Sequence, residues 1–195
     1  MKCAAVICAA GAGSRMGQNK ALCHIGSETF LSSIVRTLRD VTIPIEPIVV
    51  VTGAQQDLVR SRHSELPVFW AHNAHWQTTH MLESLASGLS LVPDDCDIIH
   101  WPVDCIGISS ADLKRLCDVP EGRTGVIGVN GKPGHPVKFG AALMRELRRD
   151  DHVYRTLKDV FLSSPYTLIE ASGPVLMNCN DQRELADFVA RMGKL

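Results

Sequence analysis

The 195-residue chain is predicted to fold as a three-layer α/β/α protein on a mainly parallel, Rossmann-like sheet. Three observations carry this reading. Strand-like apolar runs alternate with segments of helical spacing. The first run passes directly into a glycine-rich turn, the usual junction at the carboxyl edge of a parallel sheet. Apolar residues make up 45% and charged residues 21%, which supports one sizeable core in a single domain over 1–195.

The elements follow in order. The first strand covers about 3–9. A helix over 28–39 carries Leu31, Ile34, Val35 and Leu38 at helical spacing. A second strand spans 46–52, and a polar helix at 54–63 leads to a short strand, Val68-Phe69-Trp70. A helix over 80–91 places Leu82, Leu85, Leu89 and Val92 on one face. A fourth strand, Asp97–Trp101, runs into Pro102-Val103-Asp104. Ser109-Ser110-Ala111-Asp112 reads as a helix start, with Asp112 in the first turn.

Beyond residue 120 the texture changes. Glycines and prolines punctuate short β segments at Thr124–Val129 and His135–Phe139, which predicts more antiparallel pairing. Helices over 140–149 and 151–162, a strand Val175-Leu176-Met177 and an amphipathic closing helix complete the pattern. The change divides the chain into a strand–helix part over 1–119 and a part over 120–195 that is read as facing the substrate.

The turn after the first strand is the most informative segment: Ala9-Ala10-Gly11-Ala12-Gly13-Ser14-Arg15-Met16-Gly17-Gln18-Asn19-Lys20. Glycines let backbone N–H groups approach an anion. Arg15 and Lys20 then neutralise phosphate charge. Two better-known loops do not fit. A P-loop needs G-x-x-x-x-G-K-[ST], but Lys20 stands three residues after Gly17 and is followed by Ala21. A dinucleotide fingerprint needs G-x-G-x-x-G and an acid closing the second strand. Here the third glycine is one place late, and that strand ends in Thr52-Gly53.

The register Ala9, Ala10, Gly11, Gly13, Arg15, Met16, Gly17 and Lys20 resembles A-A-G-x-G-x-R-M-G-x-x-K, the signature of nucleotidyltransferases of the molybdenum cofactor type. The resemblance implies the fold of the nucleotide-diphospho-sugar transferases. It also makes Ala9, Ala10, Gly11, Gly13, Arg15 and Lys20 nucleotide-binding residues, with Arg15, Lys20 and Asp104 catalytic. In that family an Asp after a hydrophobic strand holds Mg²⁺, which implies the role for Asp104. The usual Asp-x-Pro-x-Val continuation has Ile106 in place of Pro. Asn178-Cys179-Asn180-Asp181 resembles the family's late Asn motif, so Asn180 is expected to complete the metal shell, with Asp181 the second choice. As a helix N-cap, Asn180 has a plainer explanation.

Further matches follow in order. Asn73-Ala74-His75-Trp76 and Met81-Leu82-Glu83-Ser84-Leu85 resemble the family's Asn-x-x-Trp and following helix. They imply that Asn73 contacts nucleotide or pterin and that Ser84 sits near the base; His80 stands where Gly is usual. Gly134-His135-Pro136-Val137 is similar to an element of the cytidylyltransferase branch and implies that Lys132 and His135 meet the acceptor phosphate. The implied reaction moves a nucleotidyl group from an NTP, CTP favoured by Ala9-Ala10-Gly11, to molybdopterin carrying molybdenum. A recipient molybdoenzyme would be a further partner. A sugar-1-phosphate or alcohol-phosphate nucleotidyltransferase and a non-catalytic nucleotide- or cofactor-binding module remain alternatives.

Composition bounds the rest. A net charge of −1 gives no global basic field for nucleic acid. No apolar run has the length of a membrane span. An N-terminus that flows straight into the motif is not read as a signal peptide. Seven scattered cysteines without C-x-x-C read as reduced, packed thiols of a cytoplasmic protein. Cys8 and Cys105 are expected near the site. The remaining histidines show no zinc spacing.

Overall fold

A computed structural model describes residues 2–149 and 151–192. One seven-stranded sheet runs through the chain, formed by β1 (Cys3–Ala9), β4 (Ile45–Thr52), β5 (Phe69–His72), β6 (Asp97–Pro102), β7 (Thr124–Val129), β8 (Lys132–Phe139) and β9 (Tyr166–Glu170). The spatial order is β5-β4-β1-β6-β8-β7-β9. β1 pairs in parallel with β4 and β6, and β4 with β5. β8 alone runs against its neighbours β6 and β7, while β7 and β9 are parallel. The expected α/β class holds, and the antiparallel content falls in the second half.

β1 is apolar throughout because both its faces are covered. Cys3, Ala5, Ile7 and Ala9 face one core, with α1 (Phe30–Arg39), α4 (Ser110–Cys117) and α7 (Gln182–Met192) contributing Phe30, Leu113 and Phe188. Ala4, Val6 and Cys8 face the other, with α3 (Met81–Leu89), α5 (Ala141–Leu147) and α6 (Leu157–Leu162) contributing Leu85, Met144 and Val160. Helix α3 lies close on the sheet because residue 88 is Gly. A Cβ there would meet Val6 at 2.5 Å and Val51 at 2.8 Å.

Capping sets the helix starts. Thr29 and Ser32 form a reciprocal box, so α1 begins at Phe30 rather than 28. Ser109 accepts from the Asp112 N–H and opens α4. Thr156 and Asp159 form another box, so α6 begins at Leu157, not at 151. The polar helix shortens to α2 (Gln56–Arg62).

One strand expectation needs correction, and three strands were not expected. Val175–Met177 is not a strand; Leu176 only exchanges paired backbone hydrogen bonds with Ile106, both at 3.0 Å. The edge strand β9 lies outside the expected elements, as does the small hairpin of β2 (His24–Ile25) and β3 (Glu28–Thr29). Among the described residues no helix is long and apolar enough to cross a membrane.

Candidate functional site

The carboxyl ends of β1 and β6 lie side by side, and the loops that leave them build the site. After Ala9 the chain turns over Gly13, which sits in the left-handed region at φ +65°. A Cβ there would overlap the Gln18 carbonyl oxygen, so the turn requires glycine. Among the described residues no acceptor takes the backbone N–H of Gly11, Ala12 or Gly13. Such a run of free donors is a ready anion cradle.

Two side chains hold this loop in shape. Met16 is buried in the core beneath it. Asn19 is fully buried and donates through Nδ2 to the Ala54 carbonyl at 3.0 Å and the Gly11 carbonyl at 3.3 Å. Its Oδ1 accepts from the Ala21 N–H at 3.0 Å. The sequence motifs do not single out Asn19. The one local signal for it is its position just before a short turn of helix at Lys20–Leu22.

Lys20 then points at Asp104 from the loop after β6. Lys20 Nζ donates to Asp104 Oδ2 at 2.7 Å and to Asn180 Oδ1 at 3.1 Å. Arg15 Nη2 donates to the same Asn180 oxygen at 3.0 Å. Asn180 is brought 160 residues back to the loop by a backbone bond from Cys179 N–H to the Asp104 carbonyl at 2.9 Å. Asn180 is not the helix cap. Asp181 takes that place, accepting the Glu184 N–H at 2.9 Å, which leaves the Asn180 amide oxygen facing the cations. Gly11, Gly13, Arg15, Lys20, Asp104 and Asn180 line one cavity of about 250 Å³.

Two further cavities adjoin it. One, of about 200 Å³, is lined by Ala10, Trp76, Thr79, His80, Met81 and Ser84. The other, of about 420 Å³, is lined by His135, Phe139, Lys158, Phe161, Leu162 and Tyr166, with Met81 at its border. Met81 lines all three, and Cys8 and Gly11 also line both the first and the small one. The Phe161 and Tyr166 rings lie 4.5 Å apart at 34°.

The other expected site residues divide by what they touch. Ser84 lines the small cavity, as Ala10 does, whereas Ala9 is buried in the end of β1. Asn73 is buried behind that cavity with its polar atoms engaged: Nδ2 donates to Thr79 Oγ1 at 2.9 Å and Ser84 Oγ at 3.1 Å, and Oδ1 accepts from the His75 N–H at 3.0 Å. It shapes the wall and lines none of the three cavities. Lys132 also lines none of them. It stands exposed where β8 leaves the tight turn from β7, its side chain in solvent. Lys158 of α6 is the lysine at the large cavity.

His135 lines the large cavity, but burial pushes its pKa down to about 4. The ring is neutral near pH 7 and offers a hydrogen bond rather than a positive charge. His100 packs against it, ring centroids 5.5 Å apart, and burial pushes its pKa well below the ordinary value. Cys8 lines the first cavity. Cys105 follows Asp104, and its Sγ donates to the His135 carbonyl at 3.3 Å. Both cysteines are buried and their thiols are pushed up by desolvation, Cys8 to about 12. Neither thiol has the thiolate character of a reactive cysteine. Among the described residues no group of three or more His, Cys, Asp or Glu side chains could hold a metal.

The fold recurs in solved structures. A nucleotidyl transferase from Methanothermobacter superposes with a TM-score of 0.80 at 22% identity, covering 99% of this chain and 98% of that one. Rv0371c of Mycobacterium tuberculosis, crystallised in complex with manganese, gives 0.76 at 19% identity over 97% and 99%. CTP:phosphocholine cytidylyltransferase of Streptococcus pneumoniae gives 0.71 at 12% identity over 98% and 100%. No curated protein matches the chain by sequence. The model of one sequence family, the MobA-like NTP transferase domain, matches residues 5–165. That span holds the glycine-rich loop, Lys20, Asp104 and the Gly-His-Pro-Val element, and the chain belongs to the MobA-like NTP transferase family.

Proposed function

We propose that the chain transfers the nucleotidyl group of CTP to the phosphate of a molybdopterin-type acceptor and releases pyrophosphate. The observation that carries this reading is the convergence of Lys20, Asp104 and Asn180 beside a loop with free backbone N–H groups. An acceptor phosphate oxygen bonds to the α-phosphorus while the bond from that phosphorus to the bridging oxygen breaks. The electron pair leaves with pyrophosphate. Such chemistry needs alignment and charge neutralisation, and a phosphate nucleophile is already ionised near neutral pH.

Roles follow from position. The N–H groups of Gly11, Ala12 and Gly13 take phosphate oxygens, and Arg15 and Lys20 neutralise them. The cavity of Ala10, Trp76 and Ser84 takes the base. The cavity of His135 and Lys158 takes the acceptor. In this reading 1–119 serve the nucleotide and 120–195 serve the acceptor and complete the metal site, within one domain.

The donor set fits Mg²⁺. Asp104 and Asn180 offer hard oxygen donors, and both already converge on one cation, the Lys20 ammonium. Two protein donors with room for water and phosphate oxygens suit this ion. When bound it lends Lewis-acid stabilisation to the phosphate charge. The manganese in the Mycobacterium relative agrees with a divalent-metal site. The CTP choice rests on Ala9-Ala10-Gly11, as in the cytidylyltransferase branch.

Pyrophosphate release is the test, with Mg²⁺ and each of four NTPs, with and without molybdenum-loaded molybdopterin. Release only with CTP plus cofactor is expected. Release with another NTP keeps the reaction and removes the CTP assignment. NTP binding without release removes this acceptor, and a sugar-1-phosphate panel then separates another acceptor from a binding module.

A further inference from the structure

We propose that Lys20 guards the Asp104 and Asn180 oxygens against a free divalent cation, so that the metal is admitted only with the nucleotide. The inference rests on the reading of Asp104 and Asn180 as metal donors. The Lys20 ammonium bridges the two, at 2.7 Å from Asp104 Oδ2 and 3.1 Å from Asn180 Oδ1. The Asn180 oxygen also takes Arg15 Nη2 at 3.0 Å. A divalent ion would compete with two protein cations for the same oxygens.

The charge around the cavity points the same way. Among its lining residues Asp104 is the one acid, against the two cations Arg15 and Lys20. The acids that follow Asn180 turn to backbone N–H groups at the start of α7. Asp181 accepts that of Glu184 at 2.9 Å, and Glu184 accepts that of Asn180 at 2.7 Å. Neither lines the cavity. A lining with surplus positive charge repels a free divalent cation and attracts a triphosphate.

The fold also lets the ammonium change partners. The backbone of Lys20 is pinned between buried Asn19 and buried Ala21, and its carbonyl accepts the Cys23 N–H at 3.1 Å. Its side chain is a point charge on a flexible four-carbon stem. It lines the same cavity as Gly11 and Gly13 of the phosphate cradle. A triphosphate on that cradle draws the ammonium away and frees the two oxygens. Donors shared between protein and phosphate are the usual way in which Mg²⁺ is held.

Two affinities measured apart by calorimetry test this: Mn²⁺ for the nucleotide-free protein, and each of the four NTPs in EDTA. Wild type is expected to bind an NTP in EDTA and to bind free Mn²⁺ only weakly. In Lys20→Met the order should reverse, with Mn²⁺ tightened and the NTP weakened, each by at least about tenfold. Lys20→Arg keeps the charge and should keep the wild-type order. Arg15→Gln should shift both affinities the same way as Lys20→Met but less, and Asp104→Asn added to Lys20→Met should abolish the gain in Mn²⁺. A purely structural lysine would lower the melting temperature without creating metal affinity. Free Mn²⁺ affinity within about twofold of wild type in both Lys20→Met and Arg15→Gln, with Asp104→Asn still weakening Mn²⁺ in the presence of NTP, overturns the guard role alone. No NTP bound by wild type in EDTA also overturns it. Binding of Mn²⁺ with NTP untouched by Asp104→Asn removes the metal site and overturns both readings.

Discussion

Asp104→Asn should uncouple turnover from stability, and the structure bounds both effects. Asp104 Oδ2 receives the Lys20 ammonium at 2.7 Å, with the two side chains 18% and 19% exposed. That lies between a surface pair, worth about 0–1 kcal/mol, and a charged hydrogen bond out of water, worth about 1.5–3 kcal/mol. Asparagine keeps the shape and one acceptor oxygen, so the expected loss is about 1–2 kcal/mol. For a chain of this size the melting temperature falls by roughly 2–8 °C. Catalysis should suffer far more. In the proposed metal role Asp104 is the anionic donor beside Asn180, and metal-assisted charge stabilisation is worth several kcal/mol. Losing about 3–5 kcal/mol of it slows turnover by roughly 10²–10⁴-fold. Pyrophosphate release and thermal melting on the same preparation provide the assay, with the Mg²⁺ half-saturation raised in the variant. Turnover within about fivefold of wild type would refute the metal role. A melting temperature lowered by more than about 15 °C would instead make the carboxylate a structural group.

Two other predictions concern buried ionisable groups. Lys138 is fully buried and donates through Nζ to the Val119 carbonyl at 2.7 Å and the Pro120 carbonyl at 3.2 Å, beside the Asp97 carboxylate at 3.0 Å. Lys138→Met leaves that carboxylate without its cation and should cost about 3–5 kcal/mol in urea unfolding; a loss below about 1 kcal/mol contradicts it. His135 is held neutral by burial, with its pKa at about 4 against 6.5. The unfolded chain therefore takes up the proton first, and stability is lost as pH falls from about 6.5 to about 4, by up to about 3 kcal/mol. His100, shifted in the same direction, adds to the loss. Unfolding free energies measured from about pH 7 to about 4.5 should fall less steeply in His135→Asn than in wild type, and equal slopes would show that His135 does not contribute.

Local chemistry makes much of the site legible. The glycine-rich loop, Lys20 and Asp104 each sit where a strand ends, and each signal lies within a few neighbouring residues. Residues that act through distant partners are harder to read. Asn19 works by bonding to Ala54, and Lys138 by meeting Asp97 across two strands. Neither pairing leaves a periodic trace. The strand β9 escapes a periodicity reading because its five-residue exposed edge carries a single buried side chain, Ile169. Lys132 and Lys158 show the same limit. Both are lysines of the second half of the chain, and only the packing of α6 beside β8 decides which one reaches the cavity.

The strands β1 and β4 to β8, the helices between them, the glycine-rich loop and the acidic residue after β6 were determined by the sequence itself, because each rests on periodicity or turn chemistry within a short window. Tertiary structure alone decided that Asp181 rather than Asn180 caps the last helix, that Asn73 is spent on the wall instead of a cavity, and that burial holds His135 uncharged near neutral pH. The physical reason is common to all three. A side chain's charge state and free hydrogen-bonding capacity depend on which distant groups desolvate or occupy it, and those neighbours are assembled only when the chain closes around them.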